Sequence, residues 1–308
     1  MTTQGNDKAT WIREFIEGFV ASKENSLKNE SNDPAWGKPL IGFSRGDDPI
    51  YAQMKEDIGP FFLTPPEIFA NTFPSIKVKP EELTVISWVL PQAEPTKRDH
   101  RKETTYPSER WARARKYGEE FNAKLRKRLV EMLVEAGYEA VAPIDSPFWT
   151  QKMCEQYGLS STWSERHAAF ASGLGTFGLC DGLITPVGKA MRCGSVVAHI
   201  QIPPTQRPYK DHQEYCLFFS KGTCGKCVDR CPVGAISREK GHDKEKCRAY
   251  VSGATKDYVL SHFGFESYAC GFCQVGVPCE SRIPVTTNGS RVTGQGARDK
   301  RDLTKPKP

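Results

Sequence analysis

The sequence predicts an α+β protein in which a mixed helix and strand region of about 200 residues precedes a small cysteine-rich module. Three observations carry that expectation. The 308-residue chain is 38% hydrophobic and 10% aromatic, enough apolar material to bury the core of one large or two modest domains. Helical and strand-like apolar patterns alternate along the first two-thirds of the chain. Eight of the 11 cysteines then crowd into the 64 residues from Cys216 to Cys279.

The elements follow in order. Trp11, Ile12, Phe15, Ile16 and Phe19 recur at helical spacing and predict an opening helix, after which the stretch from Pro34 to Pro65 is punctuated by proline and glycine. Leu83 to Leu90 is a short β-rich run ended by Pro91, the pattern of a buried strand. From Ser108, a candidate cap, a helix keeps Trp111, Tyr117, Phe121, Leu125, Leu129 and Leu133 on one face until Gly137 stops it. Its Arg and Lys residues alternate with Glu119, Glu120, Glu131 and Glu135, which reads as a solvated face rather than a nucleic-acid stripe. Tyr138 to Ala142 predicts the next strand. The end, residues 286–308, is polar and basic, with six basic against two acidic residues, and reads as a flexible tail.

Charged residues make up 26% of the chain, and no apolar run approaches the ~20 residues that cross a bilayer. The start, Met1 to Phe15, has neither an apolar signal core nor a twin-arginine address. The expectation is therefore a cytoplasmic protein with no membrane partner. In a reducing compartment 11 cysteines argue for metal rather than for disulfides.

Eight is twice four, the number of thiolates that hold one 4Fe-4S cluster, so Cys216 to Cys279 reads as a ferredoxin-like module with two clusters. Cys224, Cys227 and Cys231-Pro232 form a C-x2-C-x3-C-P run. The cysteine before the proline crosses to the other cluster in two-cluster ferredoxins, which groups Cys231 with Cys247, Cys270 and Cys273. Cys224 and Cys227 then share the first cluster with Cys216 and Cys279. Both of those depart from the usual spacing, since Lys221 and Val277 occupy the customary positions. Two four-thiolate zinc sites are the alternative for the set, though zinc seldom needs the proline. Cys154, Cys180 and Cys193 remain as packing residues.

Between Trp163 and Thr185 a helical start gives way to Gly173, Gly175, Gly178 and Gly182. Such glycines let backbone approach a large ligand or simply turn the chain. The order S-x-W-S-E-R-H, then G-L-G-T-F-G-L-x-D-G-L-I-T, then R-x-G-S at Arg192 to Ser195, followed by the cysteine module, resembles the cobalamin-dependent iron–sulfur reductases. That superfamily contains reductive dehalogenases and epoxyqueuosine reductase. The likeness covers roughly Leu83 to Pro284 and implies a nitroreductase-like domain (1–205) holding base-off cobalamin, a two-cluster ferredoxin-like domain (206–285) and the tail (286–308).

The resemblance further implies electron flow from an external low-potential donor through two clusters to cobalt and then to a small organic substrate, as in the dehalogenase-like branch. It implies corrin contacts at Ser164, Glu165, Gly173, Leu174, Gly175, Phe177, Gly178 and Thr185. Tyr106, Tyr117 and Arg166 are the candidate catalytic residues, following a tyrosine-with-cation pattern of proton donation. Two other readings stand beside it. One is epoxyqueuosine reduction on tRNA, against which Leu159 and Ser160 occupy the neighbourhood where that branch would carry an aspartate. The other is a non-catalytic electron carrier or corrinoid-reducing partner.

Overall fold

The structure, a computed structural model, describes residues 2–284. The basic tail foreseen over 286–308 lies outside the described residues. The organising element is a four-stranded sheet in the order Leu40–Arg45, Thr84–Pro91, Met191–Ala198, Ala140–Val141, and every pairing is antiparallel. The α+β expectation holds, while the helix–strand alternation read from the sequence does not yield a parallel sheet.

The strand Thr84–Pro91 is apolar nearly throughout because both of its faces are covered. Ile86, Trp88 and Leu90 meet the opening helix and the long helix through Ile12, Ile16, Leu125, Leu129 and Leu133. Val85 and Val89 pack on the other side against Tyr51, Phe69, Trp163 and Ala169. Period-two alternation disappears when neither face is wet, which is why this strand reads as a continuous run. The opening helix is Thr2–Val20. The strand foreseen over Tyr138 to Ala142 shortens to Ala140–Val141.

The helix foreseen from Ser108 exists but is not uniform. Glu109–Arg113 and Glu119–Glu135 are α-helical, and Ala114–Gly118 between them is a π-helical turn. That extra residue per turn rotates the apolar face. Trp111 is thereby directed away from the main core, packing with Ala190, Val259, Ala269 and Val275, while Phe121 to Leu133 stay in the sheet core. Ser108 occupies the cap position without a side-chain cap hydrogen bond. Gly137 ends the helix at φ 85°, a value glycine adopts at little cost.

The cysteine module sits on the arm formed by Glu94–Lys102 and Glu109–Arg113. His100 is sandwiched between Trp111, at 4.4 Å between centroids, and Phe272, at 4.6 Å. Burial drives its imidazole down to about 3, so the ring is a neutral stacking piece. Arg101 makes a forked ion pair with Glu280, and Lys97 Nζ donates to Ser281 Oγ at 2.7 Å. Gly271, at φ 87°, leaves room for Trp111, whose ring a Cβ there would meet at 2.2 Å.

Candidate functional site: a thiol-lined cavity and a buried polar cluster

Cys216, Cys224, Cys227 and Cys279 line one cavity, closed by Leu179, Ile184 and Val277. These are the four cysteines that the sequence groups as a first ligand set, two of them at unusual positions. The chain reaches it by two routes. Cys216 precedes the short helix Leu217–Lys221, which turns at Gly222 to bring Cys224 back. Cys279 is fixed because its carbonyl accepts from Lys189 N at 2.8 Å.

Cys231, Cys247 and Cys270 lie within electrostatic reach of one another, with Cys273 beside Cys270. The N–H of Ala235 donates to Cys231 Sγ at 3.2 Å, and the N–H groups of Gly271 and Phe272 face Cys270. Backbone donors to sulfur stabilise ligated thiolates and tune a cluster's potential. Among the described residues, no three His, Cys, Asp or Glu side chains converge closely enough to hold a single ion.

The glycines of the loop sit close against neighbouring backbone and side chains. A Cβ on Gly173 would meet the Gln206 carbonyl at 2.6 Å, one on Gly175 the Ile184 carbonyl at 2.3 Å, and one on Gly178 the Ile184 side chain at 3.3 Å. The space these glycines leave is filled by the protein's own backbone. Leu174 is buried in the core, and Phe177 packs on His167 and Phe170. Thr185 is fully buried, its hydroxyl donated to the Gly188 carbonyl at 2.7 Å. The loop is closely packed at these residues. Ser164 bonds His167 Nδ1 at 2.8 Å, and burial drives His167 down to about 3.

Glu165 differs. Its Oε2 accepts a short hydrogen bond from Ser195 Oγ, which in turn accepts from Trp163 Nε1 at 3.0 Å, while its Oε1 is buried without a partner. Burial raises the Glu165 carboxyl to about 7, against the pull of Arg126. Arg126 and Arg192 each bury a further nitrogen that makes no hydrogen bond but pairs with the Glu119 carboxylate. Arg126 is held by Asp145 at 2.8 Å, and Arg192 lies 3.5 Å from Glu119. Glu119 also lines a groove of about 520 Å³ with Arg115, Lys116, Lys256, Glu266 and Tyr268. The buried Glu165 carboxyl keeps one oxygen with unused hydrogen-bonding capacity.

The three catalytic candidates are not brought together. Tyr106 stacks on Tyr258 at 4.2 Å and ties the arm to the cysteine module. Tyr117 packs on Phe265, with Lys28 over its ring at 4.8 Å. Arg166, exposed, donates to the Asp181 carbonyl at 2.6 Å rather than to Glu109 or Glu165. Sequence reasoning missed Arg126, hidden in the charge run but only 4% exposed. Its one signal is Asn122 four residues earlier, a second polar residue beside the apolar row, which bridges Trp88 and the Cys193 carbonyl.

Residues 222–278 match the family described as 4Fe-4S double cluster binding domain. The match takes in six of the proposed ligands and stops short of Cys216 and Cys279. Epoxyqueuosine reductase of Bacillus anthracis is 31% identical over 120 residues, covering 37% of this chain and 29% of that protein. The Staphylococcus aureus epoxyqueuosine reductase is 28% identical over 167 residues, covering 53% of this chain and 39% of that protein. The chain thus spans well under half the length of these relatives. In fold it resembles a catabolic reductive dehalogenase with a TM-score of 0.50 at 14% identity, over 90% of this chain and 37% of that one. The chain thus carries a 4Fe-4S binding segment and is similar over part of its length to the epoxyqueuosine reductases.

Proposed function

We propose that this chain is a cobalamin-dependent iron–sulfur reductase of the epoxyqueuosine reductase kind, with two 4Fe-4S clusters fed by an external low-potential donor. The preference for the dehalogenase-like branch gives way because the relatives recognised by sequence are named epoxyqueuosine reductases. The observation that carries the reading is the four-thiol cavity, together with a buried polar cluster whose acid, Glu165, is protonated in part near neutrality.

Cobalamin, when bound, supplies a metal centre that passes low-potential electrons to the substrate. Its amide-bearing rim would suit the unused acceptor on Glu165. Converting an epoxide to an alkene and water takes two electrons and two protons, so the site needs an acid as well as a reductant. Glu165 holds a proton at its carboxyl, and Ser195, fixed by Trp163, orients that carboxyl.

Reduction of a small organic molecule in the dehalogenase manner is the second reading. Leu159 and Ser160, standing where the resemblance leads one to expect an aspartate, favour it. So does the groove, where Arg115, Lys116 and Lys256 face Glu119, Glu120 and Glu266 and leave no net positive stripe for phosphates.

Anaerobic reconstitution with iron, sulfide and cobalamin, followed by metal counting and turnover of an epoxyqueuosine-bearing tRNA stem loop beside a halogenated phenol, tests both. About eight irons and one cobalt per chain with tRNA turnover supports the first reading. Turnover of the phenol alone supports the second, and failure to take up cobalamin overturns both.

A further inference from the structure

Lys189 is 3% exposed, and its Nζ donates to Cys180 Sγ at 3.2 Å. Cys180 in turn lies within hydrogen-bonding reach of Cys227, from the first ligand set, and of Cys273, from the second. This lysine makes no ion pair with a carboxylate among the described residues. Glu280, whose carbonyl accepts from Lys189 N at 3.1 Å, turns its own carboxylate to Arg101 and to the N–H of Gly276.

The seat is built for it. The turn before it closes through Gly188 N to the Thr185 carbonyl at 2.8 Å, and Gly188, at φ 90°, lies so close to Glu280 that a Cβ would meet its carbonyl at 2.1 Å. A Cβ on Gly182 would meet Lys189 Cδ at 2.8 Å and Cys180 Sγ at 3.4 Å, so the absent side chain makes the channel in which the lysine lies.

A buried cation needs an anion, and here the surroundings offer only sulfur. A cube held by four thiolates is an anion whose charge grows by one on reduction, with no bond made or broken in the protein. A fixed positive charge therefore favours the reduced form, and net charge is one of the quantities that set a cluster's potential. We infer that Lys189, seated on Cys180 between the two thiol sets, is the cation that raises the reduction potential of the clusters. It is a tuning residue and touches no substrate. The inference rests on the two-cluster reading of the module and not on the corrin or its substrate.

The test is an EPR-monitored redox titration of the full chain, reconstituted with iron and sulfide and reduced by dithionite. In K189Q the reduced-to-oxidised ratio at fixed potential should fall about tenfold for at least one cluster, equivalent to about 59 mV for a one-electron couple, with iron content unchanged. K189R, which keeps the charge, should restore it. G182A, which pushes the lysine aside while retaining it, should shift the potential in the same direction by less and decides the matter where K189Q fails to load iron. Unchanged potentials in loaded K189Q or G182A overturn the inference. So does loss of iron in K189Q, K189R and G182A alike, which marks the lysine as architectural. Fewer than about eight irons in the unsubstituted protein breaks the two-cluster reading instead.

Discussion

The glycine-rich loop and the cysteine module are the two most patterned stretches of this chain, and they use their patterns in opposite ways. In the module, spacing gathers side chains: four thiols from Cys216 to Cys279 line one cavity. In the loop, spacing lets backbone meet backbone, as Gly175 does with Ile184. Glycine reports that something approaches closely but carries no chemistry that says what. Cysteine states its chemistry, because eight thiols in one small module have few other uses.

Breaking the module should have the larger effect. Replacing Cys279 with Ala should remove the first cluster, cut iron by about half and abolish turnover, since the cavity then offers only three thiolates. Iron analysis and EPR read the result directly. Full iron in C279A would return Cys279 to ordinary packing and leave the cavity without its fourth ligand.

The buried polar cluster around Glu165 lies between the two cases, because its chemistry is held by a few side chains and has no spacing signature. E165Q should lower turnover by about 100-fold or more and flatten its pH profile. In the unsubstituted protein turnover should fall as pH rises through about 7, where the carboxyl loses its proton. Stability follows the same sign. The folded carboxyl keeps a proton that the unfolded chain releases near 4.5, so stability drains away as pH rises from about 4.5 to about 7 and levels off above. Chemical denaturation across that window should show the slope, and E165Q should lose it. An unchanged turnover profile in E165Q would remove Glu165 as the acid.

In the loop itself, G175A forces a Cβ into the Ile184 carbonyl and should cost about 1–3 kcal/mol, read by denaturation. Iron content should survive. If G175A instead keeps its stability and loses cobalamin uptake, the loop is a cradle after all and the contrast with the module collapses.

The elements that burial dictates were legible in sequence: the Thr84–Pro91 strand, the opening helix and the long helix all follow apolar periodicity. The cysteine grouping was legible too, even for Cys216 and Cys279, because ligand count constrains it from both ends. What escaped depends on tertiary partners. The π-helical turn at Ala114–Gly118 redirects Trp111 without any residue type that announces it. Arg126 is hidden among surface arginines because Asp145, the partner that allows its burial, comes from a distant segment. Cys180 looked like a packing residue because its neighbours, Lys189, Cys227 and Cys273, come from three separate stretches.

Tyr106 gives the smallest and sharpest comparison. It was a candidate proton donor by residue type, yet it is 38% exposed and lies flat on Tyr258, their planes 4° apart. Beside it Tyr250 donates its hydroxyl to the Thr105 carbonyl, so two tyrosine contacts fasten the connector after the arm to the cysteine module. A stacked aromatic pair of this kind is worth about 0.5–1.5 kcal/mol beyond area burial. Y106F keeps the ring and removes the proton, so turnover and stability should both stay within error of the unsubstituted protein. Y106A removes the stack and should lower stability by about that amount, with the turnover of the folded fraction preserved. A collapse of turnover in Y106F alone would restore Tyr106 as the acid and move the proton source from Glu165 to the seam where the arm meets the module.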